Sequence, residues 1–114
     1  MIEIDEIHVA LGSVTEKNDI IENKFNLKKG TIYNLTGIKR RTIAKYNETA
    51  ESLAIKACKK FKKNKLKNIT HIISVTNTQN LRFPGISNFL SSQLALSQAH
   101  CLNLNQGCTG FVDA

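Results

Sequence analysis

Hydrophobic residues in the middle of the chain recur at the spacing of one face of a helix. This face is formed by Ala50, Leu53, Ala54, Ala57, Cys58 and Phe61. Intervals of three and four residues place such side chains on one side of an α-helix, where they pack against the rest of the protein. Asn47 is a suitable N-cap, because its side chain can accept a hydrogen bond from a free backbone N–H group. The pattern therefore predicts a helix over residues 47–63.

Alternating and β-branched segments predict three strands. The first ends near Gly12 and rests on an imperfect alternation of Ile2, Ile4, Ile7 and Val9. The segment Ile69–Val75 is rich in β-branched residues and predicts a buried strand. A third strand is predicted over His100–Asn105.

The segments between these strands predict two further helices. Asn18 or Asp19 is expected to cap a short helix that includes Phe25. Pro84 suits the first turn of a second helix, whose buried side is Ile86, Phe89, Leu90 and Leu94. Residues 31–46 are expected to be irregular, with a turn at Gly37 and a short strand over Arg41–Ala44.

Strands and helices thus alternate along the chain. Such an order favours an α/β fold in which helices cross over between the strands of a largely parallel sheet. A length of 114 residues suits one domain with one core. No run of about 18 apolar residues is present, so no membrane-spanning segment is expected. Three cysteines without an export signal favour free thiols and a cytoplasmic location.

The formal charge of +7 comes largely from a lysine-rich segment. Its members are Lys56, Lys59, Lys60, Lys62, Lys63, Lys65 and Lys67. A basic cluster of this kind attracts phosphates, nucleic acids or acidic partners. However, no aromatic RNA-binding motif, zinc-finger spacing or helix-turn-helix pattern accompanies the charge. We expect a solvated helix face, with a salt-sensitive nucleic-acid module as a third hypothesis.

Cys108 lies in a Gly-Cys-x-Gly turn between the third predicted strand and a helix-compatible segment. At a helix N-terminus, free backbone N–H groups and the helix dipole favour a negatively charged sulfur, which suits a nucleophile. The alternative is a cysteine that only satisfies tight packing between glycines.

The other reactive residue types give weaker signals. Cys58 lies on the apolar helix face and is expected in the core, and Cys101 lies in a strand. The sequence does not favour a metal site formed by His71, His100 and Cys101, because the cysteines lack the spacing of a zinc pair. Nothing in the sequence places a histidine beside Cys108.

The segment after Cys108 is short. Only six residues follow it, and Ala114 is the last. A helix of little more than one turn is unstable alone. We therefore expect a truncated chain that ends just after the turn that holds Cys108.

Five segments resemble the N-terminal part of beta-ketoacyl-acyl carrier protein synthase III, a thiolase-like condensing enzyme. They occur in the family's order and span nearly the whole chain. They are residues 36–44, 47–50 and 72–78, the pair Phe83-Pro84, and residues 105–111 around Cys108.

The resemblance implies that residues 1–114 are the N-terminal part of a thiolase-like condensing-enzyme domain with a layered αβαβα fold. It also implies a role for Cys108. The cysteine would accept an acyl group from an acyl-coenzyme A thioester, and its backbone N–H would contribute to an oxyanion hole. Malonyl-acyl carrier protein would then lose carbon dioxide and condense with the acyl group. The histidine and asparagine that serve this second half lie beyond the matched region, and no cofactor other than the coenzyme A substrate is implied.

The resemblance also gives Phe83 a role other than packing against its own helix. The matching phenylalanine crosses the family's dimer interface and lines the acyl pocket of the partner subunit. The resemblance therefore implies a homodimer. It also implies acyl carrier protein as a partner, because that protein carries the malonyl group.

One departure concerns the coenzyme A nucleotide. The family holds it with a tryptophan and an arginine, whereas the corresponding positions are Thr31 and Leu35. Lys39, Arg40 and Arg41 are nearby in sequence and are weaker candidates for phosphate contacts. The alternatives are therefore a divergent paralogue that uses another thioester donor, or a catalytically inactive fragment.

Overall fold

The computed structural model describes residues 3–80 and 82–114. The chain divides into two compact units. One contains Leu11–Glu48, and the other contains residues 3–10 together with residues 49–114. Among the described residues, none of the helices is both long enough and apolar enough to cross a bilayer.

The Leu11–Glu48 unit is built on a two-stranded antiparallel sheet. Strand β1 (Val14–Lys17) pairs with β2 (Arg40–Ile43). Helices α1 (Asn18–Lys24) and α2 (Thr31–Thr36) lie between them in the chain. The short strand and the turn at Gly37, which has φ +71°, agree with the sequence pattern.

Helix α2 was not predicted, because its N-terminus is stabilised from outside the local sequence. The buried Glu22 carboxylate accepts hydrogen bonds from the backbone N–H groups of Gly30 (3.0 Å) and Ile32 (2.9 Å). A carboxylate at this position satisfies free N–H groups and complements the helix dipole.

The second unit is built on a parallel pair of strands. Strand β3 (His71–Val75) pairs with β4 (His100–Leu104). Helix α5 (Ile86–Gln93) connects them and packs against both strands and against α3 (Ala50–Cys58). The core lies under this helix, where Ile86 and Leu90 are buried.

The helix predicted over residues 47–63 is shorter than expected at both ends. Thr49 is the N-cap instead of Asn47, because Thr49 and Ser52 form a reciprocal capping box. After Cys58 the backbone hydrogen bonds join residues three apart instead of four, and the Phe61 N–H donates to the Cys58 carbonyl. Repulsion among lysines three and four residues apart also disfavours a longer helix. The short helix α4 (Lys63–Leu66) follows.

The strand predicted before Gly12 is not formed over residues 3–10, and Ile2 lies outside the described residues. A strand needs backbone partners, and this segment instead contacts lysine side chains. Lys65 pairs with Asp5, and Lys60 donates to the Val9 carbonyl.

Candidate active site

Cys108 lies on a tight turn at the carboxyl end of β4. The turn is a 3-10 helix over Gly107–Thr109, followed by α6 (Gly110–Asp113). Gly107 has φ +54°, a left-handed conformation that favours glycine. The Thr109 hydroxyl donates to the Gln106 carbonyl at 3.1 Å and closes the turn. The Cys108 side chain is exposed.

The second glycine of the turn is required for packing. Gly110 is buried, and a β-carbon added there would lie 2.4 Å from Val75 Cγ1. The turn is therefore pressed against the end of β3, and its position relative to the strands is fixed. This is where open parallel sheets place their ligands.

A polar loop after β3 borders the turn. The Thr76 N–H donates to the Leu104 carbonyl at 3.1 Å, and Gln79 Nε2 lies 3.3 Å from Asn105 Oδ1. The buried Glu51 carboxylate accepts from Asn80 N–H at 2.9 Å. Helix α3 therefore holds one end of the loop.

Asn103, which sequence reasoning did not single out, connects the strands to the start of α5. Its Oδ1 accepts from Ser74 Oγ at 2.7 Å and from Ser87 N–H at 2.9 Å. Its Nδ2 donates to the Pro84 carbonyl at 3.1 Å and to Asn88 Oδ1 at 3.2 Å. The only sequence signal is an asparagine inside an otherwise buried strand pattern.

Phe83 lies on the loop that Asn103 holds, and its residue surface is 90% exposed. The Phe83–Pro84 peptide bond is cis, and Gly85 is the N-cap of α5. Pro84 therefore precedes the helix, in contrast to its predicted place in the first turn. Phe83 makes no helix-entry contact that would remove it from solvent.

The structure brings His71 and His100 together, away from Cys108. They are opposite each other at the amino ends of β3 and β4, with ring centroids 5.2 Å apart. A five-residue strand spans roughly 13 Å, and Cys108 lies beyond the opposite, carboxyl end of β4. His8 pairs instead with Glu6 at 3.1 Å. Across residues 3–80 and 82–114, no three His, Cys, Asp or Glu side chains cluster closely enough to hold a metal.

The other two cysteines differ from Cys108. Cys58 is half-buried, and its burial raises the pKa of the thiol, which favours the uncharged form. Cys101 is also half-buried, with its sulfur 3.6 Å from the Ala99 carbonyl oxygen. Cys108 is therefore the most accessible thiol.

Lys39, Arg40 and Arg41 lie in the Leu11–Glu48 unit. Arg41 is committed to local contacts, 3.1 Å from Glu16 and 2.8 Å from Asn18. Lys39 and Arg40 instead line an open cavity of about 390 Å³. These two side chains are more available for an anion than Arg41.

Helix α2 presents an aromatic ring, Tyr33, between Thr31 and Leu35. Leu35 is exposed and Thr31 is half-buried, and neither carries a ring. Tyr33 is 46% exposed, and Lys39 Nζ lies 5.8 Å from its ring centroid. Sequence reasoning missed Tyr33, although its position between Thr31 and Leu35 was a usable signal.

Comparison with solved structures defines the class of protein: the chain has a thiolase-like α/β fold. It matches a crystal structure of 3-oxoacyl-(acyl-carrier-protein) synthase III with a TM-score of 0.84 and 26% identity, over 95% of this chain and 34% of that one. A curacin-pathway HMG synthase in complex with holo donor-ACP has the same fold, with a TM-score of 0.84 at 17% identity, over 97% of this chain and 28% of that one.

Sequence comparison identifies the branch: the chain corresponds to the N-terminal part of beta-ketoacyl-[acyl-carrier-protein] synthase III. It is 32% identical over 98 residues to synthase III 2 of Bacillus anthracis, over 82% of this chain and 30% of the relative. It is 31% identical over 118 residues to the Bartonella bacilliformis synthase III, over 97% and 36%. The chain therefore spans about a third of the length of these relatives. No protein-family profile matches it.

Proposed function

We propose that the chain carries the acyl-accepting half of a beta-ketoacyl-acyl carrier protein synthase III, with Cys108 as nucleophile. The supporting observation is an exposed thiol on a glycine-bounded turn at the carboxyl end of a parallel strand pair, in a chain related to these synthases. The activity proposed for the whole protein is condensation in fatty acid biosynthesis.

In the first step, the Cys108 thiolate attacks the carbonyl carbon of an acyl thioester. A tetrahedral oxyanion forms, which a backbone N–H of the Cys108 turn would stabilise. The bond from carbon to the donor sulfur then breaks, and the donor thiolate leaves and takes up a proton. The product is an acyl-Cys108 thioester.

In the second step, malonyl-acyl carrier protein loses carbon dioxide, and its carbanion attacks the acyl carbon. The bond to Cys108 sulfur breaks, and the beta-ketoacyl product remains on the carrier. No described histidine lies beside Cys108, so this half would depend on the histidine and asparagine that the family carries beyond the matched region.

Phe83 would contribute to the acyl pocket of a partner subunit in a homodimer. Its 90% exposure supports a role other than packing against α5. An apolar side chain of this size in water favours burial in an interface.

The donor would be acyl-coenzyme A or another acyl thioester, with no separate cofactor. Within the Leu11–Glu48 unit, Lys39 and Arg40 would supply positive charge for phosphates, and Tyr33 would supply a ring for adenine stacking. Absence of the family's tryptophan and arginine favours a weaker hold on the nucleotide, or a carrier-bound donor.

Intact-protein mass spectrometry tests the nucleophile. The chain is incubated with acetyl-coenzyme A, octanoyl-coenzyme A and octanoyl-acyl carrier protein. The expected result is one acyl adduct that is lost in Cys108→Ala and kept in Cys101→Ala. An adduct that survives in Cys108→Ala, or none with any donor, would reject this role and favour the inactive-fragment alternative.

A further inference from the structure

A groove lies in the unit that contains Cys108, at the opposite end of the strands. It is bounded by the segment before β3 and by the chain that leaves α5, and its volume is about 500 Å³. We call it the lysine-rimmed groove; it is lined by Lys59, Phe61, Lys63, Leu66, Lys67, Ile69 and residues 93–98. Its size falls within the range of small-molecule sites.

The apolar floor is shaped by an unusual backbone conformation. Ala95 has φ +56°, a left-handed value that normally favours glycine. The Leu96 N–H donates back to the Ser91 carbonyl at 2.8 Å, which closes the end of α5. This bend lets both Leu94 and Leu96 line the groove. Opposite them, Phe61 is held edge-on against His8, with ring centroids 4.4 Å apart.

Lys59, Lys63 and Lys67 give the groove its charge. All three are exposed, and none forms an ion pair within the described part of the chain. Lys65 differs, since it pairs with Asp5 and Glu6. Lysine stems pack along apolar surface while their ammonium groups stay in water. The groove thus combines a hydrocarbon floor with an uncompensated cationic rim.

We propose that the lysine-rimmed groove binds a free fatty acid. Its alkyl chain would lie on Phe61, Leu66, Leu94 and Leu96, and its carboxylate would lie among the three ammonium groups. A neutral alkyl chain leaves the rim unpaired, and a short carboxylate leaves the floor exposed. Both parts of the ligand are therefore needed. This proposal does not depend on catalysis by Cys108.

Binding is measured with decanoate, octanoate, 1-decanol and acetate by titration calorimetry, with amide NMR shifts to locate the site. Decanoate should bind about tenfold more tightly than octanoate, because it buries two more methylene groups. It should also bind about tenfold more tightly than decanol. The largest shifts should lie in residues 93–98.

The triple variant Lys59→Gln/Lys63→Gln/Lys67→Gln should bind decanoate no better than decanol. The matched control Lys17→Gln/Lys28→Gln/Lys29→Gln, which removes the same charge from the other unit, should bind decanoate normally. Circular dichroism verifies that both variants are folded. Equal binding of decanoate and decanol, equal loss in both variants, or shifts confined to residues that do not line the groove would overturn the proposal.

Discussion

The side-chain amide of Asn103 occupies the space that a β-carbon on Gly85 would need. Such a carbon would lie 2.5 Å from Asn103 Cγ, and Gly85 has φ +94°. Gly85→Ala therefore combines overlap with backbone strain, and we expect it to lower the free energy of unfolding by about 2–4 kcal/mol. Urea denaturation measures this loss.

Gly37→Ala is the matched control for this substitution. Gly37 also has a left-handed φ of +71°, but no atom lies within 4 Å of its added β-carbon. The expected loss is therefore only the backbone strain, about 1 kcal/mol. Equal losses at the two glycines would show that contact with Asn103 contributes nothing.

The acceptor and donor roles of the Asn103 side chain can be tested with two different substitutions. Asn103→Leu leaves the N–H of Ser87, which is fully buried, without its acceptor, and we expect a loss of about 2 kcal/mol or more. Asn103→Asp keeps an acceptor for Ser87 N–H and Ser74 Oγ. It should cost about half as much in acid, where a protonated carboxyl group can also donate to the Pro84 carbonyl or Asn88 Oδ1 in place of Nδ2. Equal denaturation midpoints for the two variants would contradict this assignment.

The three thiols should react at different rates with a small alkylating reagent. Cys108 is exposed, whereas Cys101 and Cys58 are half-buried and burial raises the pKa of Cys58. We expect Cys108 to react about tenfold faster than either, because thiolate character and access both control the rate. Peptide mapping after timed iodoacetamide treatment identifies the fast site. A fast phase that persists in Cys108→Ser would refute the expectation.

The ion pairs of Lys65 should make stability depend on pH. Lys65 lies 2.8 Å from Asp5 and 3.1 Å from Glu6. The hydrogen bond from Lys65 lowers the pKa of Glu6, and hydrogen bonds to Asp5 and Glu6 raise the pKa of Lys65. Because the pKa of Glu6 is lowered in the folded protein, its ionised form stabilises the fold at neutral pH, and this stabilisation is lost as the pH falls. Because the pKa of Lys65 is raised in the folded protein, its charged form stabilises the fold at neutral pH, and this stabilisation is lost as the pH rises into the alkaline range.

Lys65→Met should therefore lower the Tm slightly at neutral pH. The difference from the unmodified protein should shrink as pH falls through the acidic range of Glu6, and again as pH rises above the ordinary range of lysine. Thermal melts across pH measure it. Lys67→Met, which removes an exposed lysine without an ion pair among the described residues, should show no such profile.

Ala95→Gly should stabilise the protein. The left-handed conformation of Ala95 strains its β-carbon, and glycine removes that strain at some entropic cost in the unfolded chain. We expect a net gain of about 0.5–1 kcal/mol in urea denaturation. A loss of stability would show that the alanine methyl group contributes packing in the lysine-rimmed groove.

Helices and strands could be predicted from the sequence where the spacing of their hydrophobic residues matches the face that packs against the rest of the unit. Strands β3 and β4 and helices α3 and α5 were all predicted within a few residues, and the thiolase-like α/β fold is confirmed by the structural matches. The prediction of a strand before Gly12 was wrong, because an alternating hydrophobic pattern does not specify which strand it pairs with. Helix α2 was missed because the Glu22 carboxylate that caps it precedes Gly30 by eight residues.

The candidate site shows the same division. The turn around Cys108 was readable because glycines mark it directly in the sequence. The structural role of Asn103 could not be predicted from the sequence, because its partners Ser74 and Ser87 lie 29 and 16 residues away from it in the chain. The catalytic role of Cys108 and the roles of Phe83, Lys39, Arg40 and Arg41 remain predictions.

The carboxylate of Glu48 fastens together the two ends of its own unit. It accepts from the Ser13 N–H and hydroxyl groups, each at 2.9 Å, and from the Lys45 N–H at 3.0 Å. The first and last residues of the Leu11–Glu48 unit are therefore held close together. We expect an exchange of this segment with that of a relative to be tolerated, because the chain ends that must be rejoined already lie close together.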